Sequence, residues 1–146
     1  MHVRQIDLAN HKDVRQFILF PFDLYADNPY WVPPLIAERE LALNPDKHPF
    51  YQHSEAAFFL AERDGETVGR IAILNNRRYR EQTRSPTGLF YFFEVIDGLE
   101  VARALFEAGY AWASKRGIKI LRGPKGLAQG DGFGMLVEGF DYLPAM

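Results

Sequence analysis

The sequence predicts an α/β domain in which a mixed central sheet is flanked by helices, and three stretches carry that prediction. Leu89 to Ile96 is an apolar and aromatic run broken only by Glu94, as in a central strand covered on both faces. Val101, Ala102, Leu105, Phe106, Ala108, Gly109, Trp112 and Ala113 then recur at helical spacing, and the short run Ile118 to Leu121 follows. Together these make one strand, helix, strand unit, which connects right-handedly. Upstream, Ala56 to Glu62 and Thr67 to Leu74 are parted by Arg63-Asp64-Gly65-Glu66, an antiparallel hairpin signal. On this fold Phe92 and Trp112 share a core, and their separation into non-touching cores would overturn the assignment.

The remaining elements follow in chain order. His2 to Leu8 alternates, with Val3, Gln5 and Asp7 on one side and Arg4, Ile6 and Leu8 on the other, as in a short strand. Asn10 is an N-cap for a helix whose Val14, Phe17 and Ile18 face inward, and Pro21, lacking an amide hydrogen, should end or kink it. The segment YADNPYWVPPL is loop-like in its prolines yet heavily aromatic. Tyr25, Tyr30 and Trp31 either cover one end of the core or wall a pocket, with Tyr30 and Trp31 contacting a small acceptor. Pro33 and Pro34 suit the first turn of a second helix, Leu35 to Leu43, which Asn44, Pro45 and Asp46 end.

Gly69, inside the second hairpin strand, implies close backbone approach or a bulge. Arg70 beside it either binds an anionic part of a substrate or reaches solvent on its long stem from an edge. Asn75 to Gly88 carries Arg77, Arg78, Arg80 and Arg84 without an apolar period, so a surface loop is expected, whose guanidinium groups could attract phosphate. Asp97 and Glu100 are spaced as a capping box for the helix after the central strand, and Lys115, Arg116 and Gly117 suit its end. Gly123-Pro124 stops the last strand. Beyond it glycines crowd the chain without matching a phosphate-loop fingerprint, while Phe133, Leu136, Val137 and Phe140 have helical spacing with Asp131 as a cap.

Composition narrows the function. The chain has 146 residues, 47% of them hydrophobic and 14% aromatic, enough for one domain spanning 1–146 with a normal core. A net charge of -2 gives no bulk reason to expect nucleic acid or a membrane as partner. There is no cysteine, and His2, His11, His48 and His53 lack zinc-site spacing, so no metal is expected. No apolar run reaches the roughly 18 residues of a membrane span and the start lacks a signal peptide's apolar core, so a cytoplasmic location is expected.

The order of elements, and above all the phrases YADNPYWVPPLIAERE, VGRIA, FFEVIDGLEVARALFEAGYAWASKRG and RGPKG…DGFGMLVEGF, resemble a bacterial branch of the GNAT superfamily, the acyl-CoA-dependent N-acetyltransferases. The resemblance runs from about Phe17 to the last residue. It implies transfer of an acyl group from acetyl-CoA or another acyl-CoA to an amine, on a small molecule or a peptide, without a metal. By that resemblance Glu94 is the base that takes the amine's proton, and a backbone amide near Val95 or Ile96 receives the thioester carbonyl. Gly98 falls in the loop that should bind the CoA pyrophosphate. That loop reads Asp97, Gly98, Leu99, Glu100, which puts two carboxylates where the pyrophosphate should sit. The helix beyond the last strand should supply a thiolate-protonating tyrosine, yet the nearest, Tyr142, lies past the segment expected to be helical. The superfamily's last strands are also expected to be lacking, with the chain forming the N-terminal part of a longer protein and an exposed sheet edge able to support a homodimer. Two alternatives stay open: Glu94 as a strand-end carboxylate paired with an arginine of the 77–84 segment, and the whole domain as a non-catalytic, GNAT-shaped ligand- or protein-binding module with a degenerate pyrophosphate loop.

Overall fold

The computed structural model describes residues 1–144, and residues 145 and 146 of the domain expected over 1–146 lie outside the described residues. The chain runs β1 (His2–Gln5), α1 (His11–Leu24), α2 (Ile36–Ala42), a 3-10 turn (Pro49–Gln52), β2 (Glu55–Arg63), β3 (Glu66–Asn75), α3 (Arg77–Thr83), β4 (Thr87–Val95), α4 (Leu99–Ser114) and β5 (Ile120–Arg122). The sheet follows chain order, β1 to β5. Its first four strands pair antiparallel, whereas β4 and β5 pair parallel with Thr87 opposite Ile120 and Leu89 opposite Arg122. The mixed sheet and the strand, helix, strand unit that the sequence predicts are therefore both present.

Two cores sit on the two faces. Because side chains alternate along a strand, β2 sends Phe58 and Leu60 to the face that holds Phe17 and Ile18 of α1, and sends Ala57, Phe59 and Ala61 to the face that holds Val101, Leu105 and Trp112 of α4. The β2–β3 turn places Asp64 at φ 52° and Gly65 at φ 83°, both left-handed, the geometry a two-residue hairpin favours. Gly69 is a site of close approach, since a Cβ there would lie 2.8 Å from Val95 Cγ1, 2.9 Å from Leu105 Cδ1 and 3.0 Å from Val101 Cγ1. Gly69→Ala should therefore destabilise the domain by about 1–3 kcal/mol through overpacking, read as a lower urea midpoint with an unchanged slope.

The expectation that Phe92 and Trp112 share a core is not met: Phe92 packs on the α1 face and Trp112 on the α4 face. The cause is a bulge in β4. Tyr91 faces Ala72 and Glu94 faces Arg70, so Phe92 and Phe93 together oppose the single residue Ile71, with Phe92 at φ 50°. A regular strand would have turned Phe92 toward α4 and Glu94 with it; one extra residue flips both to the α1 side. The criterion assumed unbroken alternation. The fold itself stands on the strand order and the parallel β4–β5 pairing.

Three further expectations are corrected, and of the two effects expected of Pro21, ending or kinking α1, the ending does not occur, since the helix runs on to Leu24. Asn75 to Gly88 is not a loop throughout: Asn76 caps α3, its Oδ1 accepting from the Tyr79 amide at 3.0 Å, and half-buried Tyr79 is the one apolar anchor the short helix needs. The capping box does not form, because the N-cap of α4 is Gly98, no side chain caps the helix, and Glu100 bonds Arg63 at 2.8 Å instead. Residues 133 to 140 are not helical. Gly132, Gly134 and Gly139 all take positive φ, which interrupts any helix, and the Asp131 carboxylate accepts from the Ala128 amide rather than capping a downstream turn.

Candidate active-site cleft

On the α1 face, where β4 leaves β5, lies a cleft of about 700 Å³. Its floor is Arg70, Tyr91, Phe92 and Glu94 from the sheet; its walls are Tyr25 at the end of α1, the loop residues Asn28, Tyr30, Trp31 and Val32, Arg39 of α2, and Met135, Leu136, Phe140 and Tyr142 from the glycine-rich tail. Of the residues singled out from the sequence, the structure brings Glu94, Arg70, Tyr30 and Trp31 together here; Val95, Ile96 and Gly98 do not line it. A larger hollow of about 1000 Å³ between the start of α1 and the end of α2 contains none of them.

Arg70 anchors the floor and does not reach solvent, being only 4% exposed. Its Nη2 lies 2.6 Å from Glu94 Oε2, to which Nε also donates at 2.7 Å, and Nη1 donates to the Phe17 carbonyl at 2.7 Å. That last bond follows from Pro21. In a helix the amide of residue 21 would bond the carbonyl of residue 17, and proline has no amide hydrogen to give. The orphaned Phe17 carbonyl is satisfied from β3 instead, which ties α1 to the sheet at the cleft. The rings of Phe17 and Phe92 lie 5.0 and 5.2 Å from the guanidinium carbon, covering both an ion pair and its desolvated cation.

Glu94 is therefore paired, but with Arg70 of the neighbouring strand rather than with an arginine of the 77–84 segment. Two of those arginines are engaged elsewhere: Arg77 approaches Glu55 at 4.0 Å, and Arg80 donates to Asn75 Oδ1 and to the carbonyls of Arg116 and Gly117. Both Arg70 bonds converge on Glu94 Oε2, and Oε1 has no protein partner among the described residues.

The aromatic loop serves both of its expected purposes. Trp31 packs edge-on against Phe22 at 5.2 Å and tilted against Tyr25 at 5.3 Å, and it also lines the cleft. Tyr25 is half-buried, and burial first, then the charge of Glu94, hold its hydroxyl above the ordinary tyrosine pKa. The Tyr91 hydroxyl donates to the Asp131 carbonyl at 2.6 Å and so pins the tail over the floor. Arg39 is the residue that the sequence reading passed over; only its place on a short helix beside the aromatic loop could have suggested it. Its guanidinium carbon lies 5.3 Å from the Phe92 centroid, its Nε is buried without a hydrogen-bond partner, and it forms no ion pair among the described residues.

Beside the cleft, β4 has a free side. β5 pairs only with Thr87 to Leu89, so no described strand runs along β4 beyond them on that side. The Ile96 amide donates to the Val68 carbonyl at 3.0 Å, which removes it as a donor to a ligand. Antiparallel ladders alternate bonded and non-bonded pairs, so Val95, opposite Gly69, directs its amide to the free side. The first turn of α4 begins just beyond, at Gly98, with Glu100 folded back over it: a Cβ on Gly98 would meet Glu100 Oε1 at 3.0 Å. The hydrogen bond from Arg63 and its own backbone amide hold the Glu100 carboxyl below the ordinary range. Among the described residues no cluster of side chains could hold a metal ion, and no helix is long and apolar enough to cross a membrane.

No family model matches the sequence. Among curated proteins, the chain is 38% identical over 135 residues to Protein YghO of Escherichia coli (strain K12), covering 92% of this chain and 34% of that protein. It is 36% identical over 140 residues to the bacterial ceramide synthase of Caulobacter vibrioides (strain NA1000 / CB15N), covering 95% of this chain and 36% of that protein. The chain thus spans about a third of the length of the curated relatives it matches. Among solved structures, a tandem GNAT protein from the clavulanic acid biosynthesis pathway superposes with a TM-score of 0.57 at 14% identity, over 82% of this chain and 35% of that one. A ribosomal-protein-alanine N-acetyltransferase from Brucella melitensis biovar Abortus 2308 superposes at 0.54 with 19% identity, over 86% and 82% of the two chains. With its mixed sheet, its parallel β4–β5 pair and the helix between them, this chain has the fold of the GNAT acetyltransferases.

Proposed function

We propose that the domain belongs to a cytoplasmic acyl-CoA-dependent N-acyltransferase and that the cleft on the α1 face receives the acceptor amine. The observation that carries this reading is the placement of Glu94: a carboxylate at the floor of an aromatic cleft, one residue from the Val95 amide on the free side of β4. When bound, acyl-CoA supplies an activated thioester. Glu94 Oε1, free of Arg70, accepts the proton of the attacking amine. The Val95 amide donates to the acyl carbonyl as negative charge builds on its oxygen. The uncapped first turn of α4, with Gly98 at its N-cap, would face the pyrophosphate, provided Glu100 stays with Arg63. Tyr142, the tyrosine nearest the role of protonating the departing thiolate, lies in the non-helical tail and lines the wall of the cleft.

The name of the Caulobacter relative points to the acceptor class. Ceramide is an amide of a long-chain amine, and an amine with an apolar chain suits a cleft lined by Tyr25, Tyr30, Trp31, Phe92, Leu136 and Phe140. The tail beside it exposes further apolar surface, with Phe133 86% and Val137 79% exposed.

Thermal stability tests the donor. Acetyl-CoA or a longer acyl-CoA at 100 times its dissociation constant should add roughly 2.7 kcal/mol. Glu94→Gln should keep that shift and abolish amide formation. Absence of a shift with every acyl-CoA at millimolar concentration would favour the non-catalytic binding module, for which Asp97 and Glu100 at the start of α4 are the supporting observation.

A further inference from the structure

We propose that Arg39 is the specificity residue of the cleft and that the acceptor carries an oxyanion, a carboxylate or a phosphate monoester, close to its amine; this rests on the acyl-transfer reading above. Charge in the cleft is unbalanced. Arg70 and Glu94 satisfy one another at 2.6 Å, and Arg39 is left as an additional cation with no carboxylate partner among the described residues. A cation that merely decorates a surface would point into water. This one has its guanidinium over Phe92, with Nε withdrawn from solvent and unbonded.

Arg39 is partly exposed and lines the cleft, so a guanidinium whose charge no carboxylate answers can meet an arriving oxyanion there. The planar fork of donors fits the two oxygens of a carboxylate or phosphate. Arg39 and Arg70 both lie near 5 Å from the Phe92 centroid, and Glu94 is bound to Arg70, so a base for the amine and a cation for an anion stand within one small-molecule length. The walls of Tyr25, Tyr30 and Trp31 then take the apolar remainder. A simple alkylamine would leave Arg39 unanswered. An amine bearing an adjacent oxyanion uses both Glu94 on the floor and Arg39 on the wall.

The test compares octylamine, 2-aminooctanoate and 2-aminooctyl phosphate as acceptors with one acyl-CoA, in the native protein, Arg39→Met and Arg39→Lys. The native protein should favour one or both anion-bearing acceptors over octylamine by about tenfold or more in kcat/KM, with the better of the two naming the anion. Arg39→Met should erase that ratio, and Arg39→Lys should restore part of it. A ratio near one in the native protein, or one that Arg39→Met leaves intact, overturns the proposal. Binding separates this from a failure of the acyl-transfer reading. If no acceptor is turned over, thermal shifts with 2-aminooctanoate and 2-aminooctyl phosphate still decide it: a shift present in the native protein and in Glu94→Gln but lost in Arg39→Met upholds the anion site, and no shift in the native protein removes it.

Discussion

Glu94→Ala is expected to cost about 3–5 kcal/mol of folding stability, and adding Arg70→Met in the same chain is expected to return much of it. The side chains of this pair are 5% and 23% exposed, so the arginine is the more deeply desolvated partner. Removing the carboxylate strands the buried cation with one carbonyl, that of Phe17, and two ring faces. Removing the arginine alone should cost less on the charge side, because Glu94 keeps some water, but it leaves the Phe17 carbonyl without a donor, worth about 1–3 kcal/mol. Urea unfolding of the native protein, both single variants and the double variant closes the cycle. The double variant should be more stable than the sum of the single losses predicts, by about 0.5–3 kcal/mol. Strictly additive losses, or a Glu94→Ala cost under about 1 kcal/mol, would mean that the pair is solvated and that Arg70 does not hold the cleft floor. The same reasoning explains why Glu94→Gln, which keeps the shape and an oxygen for Arg70, is the variant to use for chemistry.

What could be read in the sequence was whatever rests on local periodicity. The hairpin announced itself through Asp64-Gly65, α1 through Asn10, and the central unit through an apolar run, an amphipathic helix and a second short run. The aromatic loop and the floor residues Glu94 and Arg70 could be picked out as chemistry-bearing, but their mutual arrangement could not. It depends on the bulge at Phe92, which alternation cannot register because two aromatic residues in succession look the same whichever face each takes. It depends equally on Pro21. Read locally, a proline breaks a helix; in the fold it frees the Phe17 carbonyl for a partner 53 residues away in sequence. The tail misled for the opposite reason. Phe133, Leu136, Val137 and Phe140 have helical spacing, but glycines at 132, 134 and 139 hold backbone conformations that no helix contains, and all four of these apolar residues remain exposed. Arg39 offered only its place beside the aromatic loop, since an arginine on a seven-residue helix does not stand out until the neighbours that fail to pair with it are known.

Val95→Pro is expected to lower the turnover number about 100- to 1000-fold relative to Val95→Ala, the loss typical of deleting one oxyanion donor. Proline removes a single hydrogen, the one on the amide that points to the free side of β4, and the ladder with β3 does not use that hydrogen at this position. The proline also asks Glu94 for extended backbone, which a strand residue already has. Val95→Ala is the reference because the isopropyl group packs against Gly69, where a Cβ would come within 2.8 Å of it, so loss of packing must be separated from loss of the donor. One residue on, the outcome should differ in kind: Ile96→Pro deletes the bond to the Val68 carbonyl and should lower stability before it affects chemistry. Amide formation from acyl-CoA and an amine, followed by single-turnover kinetics, reads the first effect, and thermal unfolding reads the second. Equal turnover in Val95→Pro and Val95→Ala would show that the acyl carbonyl is received elsewhere, and with that the free side of β4 would lose its place in the mechanism.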